Sequence, residues 1–225
     1  MIFQAEWFSH TTLAAAWCCT ILLLGVFARR AFAAFCRYRS AGLLAALIFA
    51  SAWSLSAAPD QGQLAGINYH LLAVNLVALM IGIPAAFWLA ACLLLPYLWL
   101  NGDWQAYPVN ALALLLPPLL VNFTARTLVK RLPANIFIFI FANGFLASAA
   151  SMLLTGAVLV CIWHGVGAFS DGLLWNTAFP VFFLIAWAEA FLSGLSTAVF
   201  VALRPHWINT FEDNRYLRSK RSIWQ

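Results

Sequence analysis

The chain has 225 residues, 64% of them hydrophobic and only 8% charged, with 12 Lys and Arg against 7 Asp and Glu for a formal net charge of +5. An ordinary soluble domain carries about 25% charged residues, so these few charges cannot clothe a water-facing surface. Disorder, which needs low hydrophobicity and high charge, is excluded by the same composition. What remains is an integral membrane protein: an all-α, polytopic transmembrane helical bundle.

Residues 1–10 hold no Lys or Arg and include Glu6, so they lack a signal-peptide pattern and the first apolar run reads as a retained span. A crossing helix needs about 20 mostly apolar residues. The first expected span is residues 11–28, closed by Arg29 and Arg30, and the second is residues 41–58, closed by Pro59 and Asp60. Residues 59–69 read as a polar loop, and residues 70–100 follow without a single formal charge. Gly82-Ile83-Pro84 interrupts that run. Proline removes a backbone donor and clashes with the preceding turn, so two short helices are expected, 70–81 and 84–100, joined by a tight turn. A single kinked helix is the alternative. Residues 110–128, 134–163 and 179–203 complete about seven spans, or six if 70–100 is one helix. Residues 1–203 thus form the membrane domain, and residues 204–225 a polar, basic tail.

The charges sort with this layout. Residues 29–39, 126–131 and 204–221 hold all 12 basic side chains, while Glu6, Asp60, Asp103 and Asp171 fall in the opposite loops. The positive-inside rule puts the basic face in the cytoplasm, with the N-terminus out, the C-terminus in, and the chain in a bacterial inner membrane. Without the turn at Gly82-Ile83-Pro84 this segregation breaks. Topology and anionic headgroups therefore account for the cations, and nucleic acid is not expected as a partner. The five cysteines lie in or beside apolar runs with no CxxC or Cys/His ladder, so neither zinc nor a disulfide framework is indicated.

Several polar groups sit inside apolar runs. Glu189, ionised at mid-membrane, costs about 2.5–3.5 kcal/mol on insertion scales. It either lines a substrate route or a helix contact, or is a protonated carboxyl bonded to another helix. Asn75, Asn110, Asn122, Asn135 and Asn143 are read mainly as helix cross-links, with Asn110 singled out because it follows Pro108 at the external mouth of a span. His164 and His206 read as interfacial residues. His10 and His70 each stand at the external start of a helix, and neutral imidazole is a common ligand for divalent transition metals. The two rings facing one compartment, with Asp60 or the amino terminus, offer a weak signal for a metal site.

His70-Leu71-Leu72 followed by Gly82 and Pro84 resembles the histidine, small-residue helix and Gly-Pro turn of the CbiM/NikM-type family, the substrate-capture permeases of cobalt and nickel energy-coupling-factor (ECF) transporters. Three further stretches are similar to the proteobacterial short branch of that family. They are Pro108-Val109-Asn110-Ala111-Leu112, Ala188-Glu189-Ala190-Phe191-Leu192-Ser193-Gly194, and the run from Arg204-Pro205-His206-Trp207 to Glu212-Asp213. The resemblance covers about residues 40–217. It implies a helical bundle that takes up a divalent cobalt- or nickel-like ion, with no resident cofactor, and works with a transmembrane coupling subunit and two cytoplasmic ATPases. It also implies a metal site built from an amino-terminal Met-His and a histidine before the third helix, matched here by Met1 and His70. The chain departs from that pattern at Ile2, where the family has histidine, and at Ala73 and Val74, where it has glycines. His10 is then a possible substitute donor. With no GxxxxGK[ST] the chain is not the ATPase. Two other readings stand beside this one: a metal-related membrane assembly factor without transport, and a membrane-embedded lipid-modifying enzyme. The leading reading is a permease, not an enzyme.

Overall fold

The computed structural model describes residues 1–54, 63–64, 67–101 and 103–216. Asp60, Arg218, Lys220 and Arg221, all used in sorting the charges, lie outside the described residues. The main helices are α1 (His10–Arg37), α2 (Arg39–Ser54), α3 (Val74–Ile81), α4 (Ile83–Asn101), α5 (Tyr107–Val129), α6 (Ile136–Val166) and α7 (Asp171–Leu203). A two-residue antiparallel ladder, β1 (Gln63–Leu64) with β2 (Ile67–Asn68), precedes α3.

Among the described residues five helices, α1 and α4 to α7, are long and apolar enough to cross a membrane. The expectation of seven spans needs correction at α3. Its eight residues rise only about 12 Å, against a hydrocarbon core of about 30 Å. All eight are buried, so α3 is a half-helix wrapped in protein. The helix begins at Val74, four residues after His70, because Ala73 takes a left-handed conformation (φ 56°). Residues 69–73 stay non-helical, and irregular backbone at such depth is tolerated only inside protein.

The break at the other end of α3 is decisive. Gly82 has φ 86°, a conformation that glycine alone adopts without steric cost. The chain reverses there: Asn68 lies against Met1, Met80 against Asn209, and Asp103 against Ala5. A single kinked helix over 70–100 is therefore ruled out. Pro84 is tolerated because the first helical turn has no intrahelical donor to lose.

Three other bounds differ from the sequence reading. Helix α1 runs through Arg29 and Arg30 to Arg37, since arginine is a good helix former whose head reaches water on a long stem. Helix α7 starts at Asp171, eight residues early, through a π-helical turn at Leu174–Ala178. Asn135 is not embedded; it is exposed and caps α6, its side chain accepting from Phe137 N at 2.7 Å.

Contacts divide the bundle into two ends. At one, Trp7 packs on Phe169, and His164 Nδ1 pairs with Asp171 Oδ1 at 2.6 Å. At the other, Tyr38 donates to Asn209 Oδ1 and Arg215 to the Lys130 carbonyl, both at 2.7 Å. The tail does not hang free. Asn209 N and Thr210 N donate to the Met80 and Leu79 carbonyls, capping the C-terminus of α3.

Candidate metal-capture site

The N-terminal segment leaves the surface and enters the bundle. Met1 and Phe3 are fully buried, although chain termini normally remain in water. Asn110, at the start of α5, holds this strap as a neighbouring strand would. Its Oδ1 accepts from Phe3 N at 2.8 Å, and its Nδ2 donates to Phe3 O at 3.1 Å and Ala106 O at 3.0 Å. Asp103 Oδ2 accepts from Ala5 N at 2.7 Å while Oδ1 accepts from Gln105 N at 2.9 Å. Phe3 then packs on Trp163 (5.7 Å between ring centroids), and Trp163 stacks on Phe182, which meets Tyr69 edge-on.

The strap delivers the Met1 amine to the segment before α3, where it donates to the Asn68 carbonyl. Burial lowers the pKa of this amine from 8.0 to about 5, so at neutral pH it carries a free lone pair. The bond to Asn68 sets the amine two residues along the chain from His70. His70 is 5% exposed. Its Nδ1 lies 3.0 Å from the Leu71 carbonyl, which only accepts, so Nδ1 carries the proton and Nε2 keeps its lone pair. Nε2 is buried and has no hydrogen-bond partner, as are Asn68 Oδ1, Tyr69 OH and Trp163 Nε1. Buried polar atoms in native proteins are rarely left this way. Trp53 and Tyr97 flank the ring at 6.3 and 5.5 Å.

Glu189, deep in α7, borders an open cavity of about 290 Å³ between α2, α3 and α7, but its carboxylate is turned onto the backbone before α3. It is 3% exposed, and both carboxylate oxygens are occupied by backbone N–H groups, Leu72 at 3.0 Å and Ala73 at 2.7 Å. It therefore caps the N-terminus of the half-helix α3, where an anion is favoured by the unpaired amides and the helix dipole. Asn75 is part of a separate structural knot. Its Nδ2 donates to Asn143 O and Ser148 Oγ, both at 2.8 Å, and its Oδ1 accepts from Asn122 Nδ2 at 2.8 Å.

The structure thus brings Met1 against the segment that carries His70, with Asn110 holding the strap and Glu189 the backbone after His70, while Asn75 ties α3 to α5 and α6. His10 stands exposed at the first residue of α1. Among the described residues no three His, Cys, Asp or Glu side chains gather into one cluster. Sequence reasoning missed Asn68, Tyr69 and Trp163 and treated Asp103 only as an external acid. Proximity to His70 was the signal for the first two; nothing local points to Trp163.

Fold and site define a multi-pass helical membrane protein with nitrogen donors enclosed beneath an inserted amino-terminal strap. Residues 3–207 match the family model CbiM, the cobalt uptake substrate-specific transmembrane region, and the chain belongs to that family. It is accordingly a membrane component of cobalt uptake of the ECF type and a member of a transporter-component family rather than an enzyme family. No curated protein and no solved structure matches the chain at a significant level.

Proposed function

We propose that the chain captures a divalent cobalt- or nickel-like ion at the Met1 amine and His70 Nε2, with the Ile2 amide nitrogen available as a third donor on deprotonation. One observation carries this reading: a buried terminal amine held on the Asn68 carbonyl, two residues from a buried histidine whose Nε2 has no hydrogen-bond partner among the described residues. Nitrogen donors of this kind suit cobalt and nickel better than magnesium or calcium. The ion is cargo, not a resident cofactor. The absence of a histidine at position 2 leaves a smaller donor set than the family pattern, and Asn68 Oδ1 supplies a buried oxygen nearby.

The basic end faces the cytoplasm of a bacterial inner membrane, and the strap end faces outward, following the positive-inside rule. A transmembrane coupling subunit and two ATPases supply the energy that this chain has no motif to harvest.

Titration of the purified chain with Co²⁺ and Ni²⁺ tests the site. His70→Ala is expected to weaken binding by on the order of 10- to 100-fold, and extending the chain before Met1 to weaken it comparably. His164→Ala leaves binding intact. Equal affinities for all four proteins overturn the proposal.

A further inference from the structure

A large cavity lies away from the metal-capture site. It is an open groove of about 920 Å³ at the basic end, between α1, α5 and α6 and over the α3–α4 turn. Its walls are apolar, from Phe27, Leu116, Leu120, Phe123, Leu154 and Val158. Leu120 and Phe123 are more than half exposed, so the groove opens sideways, toward where lipid tails lie.

Its mouth is of a different character. Arg30 of α1 and Arg126 and Lys130 of α5 line it together with Thr127 and Asn209, and no carboxylate is among the lining residues. Among the described residues the single ion pair is His164–Asp171 at the opposite end, and none of the three cations is paired with a described carboxylate. Glu212 and Arg215 border a small adjoining cavity that Arg126 and Lys130 also touch, and Arg215 is spent on the Lys130 carbonyl. Cations that no described carboxylate neutralises, set over an apolar trough, match an amphiphile with an anionic head.

We propose that this groove is a binding site for an anionic phospholipid, its phosphate on Arg30, Arg126 and Lys130 and an acyl chain along the apolar wall. Guanidinium groups bind phosphate oxygens in pairs, and basic pockets between spanning helices recognise acidic headgroups. A zwitterionic lipid fills the trough equally well but gains less at the mouth. Since the lipid touches α1, α5, α6 and the Gly82 turn at once, it braces the half-helix on the side away from His70. The site is independent of which metal the chain captures.

Native mass spectrometry of the purified chain tests this, with phosphatidylglycerol and phosphatidylethanolamine of matched acyl chains in competition. Phosphatidylglycerol is expected to be retained in preference, and the triple variant Arg30→Ala, Arg126→Ala, Lys130→Ala to reduce that preference on the order of tenfold or more. Removing Arg39 and Arg131 instead, cations that do not line the groove, leaves it intact. Leu120→Trp, which fills the trough without changing charge, lowers retention of both lipids. Soluble glycerol phosphate does not displace the bound lipid if the acyl chain contributes; full displacement identifies a phosphate site without a lipid and overturns the proposal. Equal retention of the two lipids by the unaltered chain also overturns it, as does a preference that survives the triple variant. If the groove instead seats a protein subunit, the purified chain shows no headgroup preference and the triple variant loses a co-expressed coupling subunit; that outcome too is against the lipid.

Discussion

At Asn110 a single amide holds the middle of the strap. Three hydrogen bonds pass through it, and it pairs with both backbone groups of Phe3 across a sequence separation of 107. Asn110→Ala strands a buried N–H and a buried C=O at Phe3, each costing about 1–3 kcal/mol when left unsatisfied. Since the strap is all that carries the Met1 amine to His70, Asn110→Ala is expected to weaken Co²⁺ binding at least as much as it lowers thermal stability. A variant with native metal affinity but a freely protease-accessible N-terminus contradicts this. Glu189 gives a complementary test. Glu189→Gln keeps one acceptor and turns the other into a donor facing a backbone N–H, so one amide of Leu72 or Ala73 loses its partner. The expected result is a lower unfolding midpoint in detergent and looser metal binding, because the same backbone run carries His70. Unchanged values for both mean that the cap is not needed. The residue types at both positions stood out in the sequence, but their partners did not. An Asn after a proline or a lone Glu in an apolar run announces a need for hydrogen bonds without saying who meets it.

Among the elements, α3 departs most from its sequence pattern. Residues 71–81 are apolar apart from Asn75, which suits a helix, and the Gly-Pro break at their end was legible because both residues act on their own backbone. The late start at Val74 was not, since it depends on a carboxylate 117 residues away bonding to Leu72 N. The two longest helices meet through small residues. An added Cβ at Gly156 of α6 would stand 2.5 Å from Phe182 Cγ of α7. In lipid, such close approach supplies packing that hydrophobic burial cannot. Gly156→Val is therefore expected to separate α6 from α7 and disturb Phe182, which lies between Trp163 and Tyr69. Tryptophan fluorescence during thermal unfolding should show a midpoint lower by several degrees; an unshifted transition would mean that α6 and α7 have slack at this point.

For the whole molecule, the two ends defined by contacts differ in charge, although Glu212 sits among the cations. Glu6, Asp103 and Asp171 gather at the strap end, and the described cations at the end capped by Asn209 and Thr210. In a cysteine-free background, single cysteines at positions 6 and 171 should react with a membrane-impermeant maleimide added to intact cells, and one at position 131 only after lysis. Labelling of 6 and 131 from the same side is incompatible with the orientation proposed. Class, approximate spans and the sorting of charge were set by the sequence alone, because each follows from transfer free energies summed over tens of neighbouring residues. Its motifs also singled out His70 and Met1 as candidate donors. The inserted strap, the half-length of α3, the committed carboxylate of Glu189 and the cation-rimmed groove were decided only in three dimensions. Each depends on a hydrogen bond or cavity shared by segments far apart in the chain, and short-range composition carries no record of which distant group arrives to satisfy a buried one.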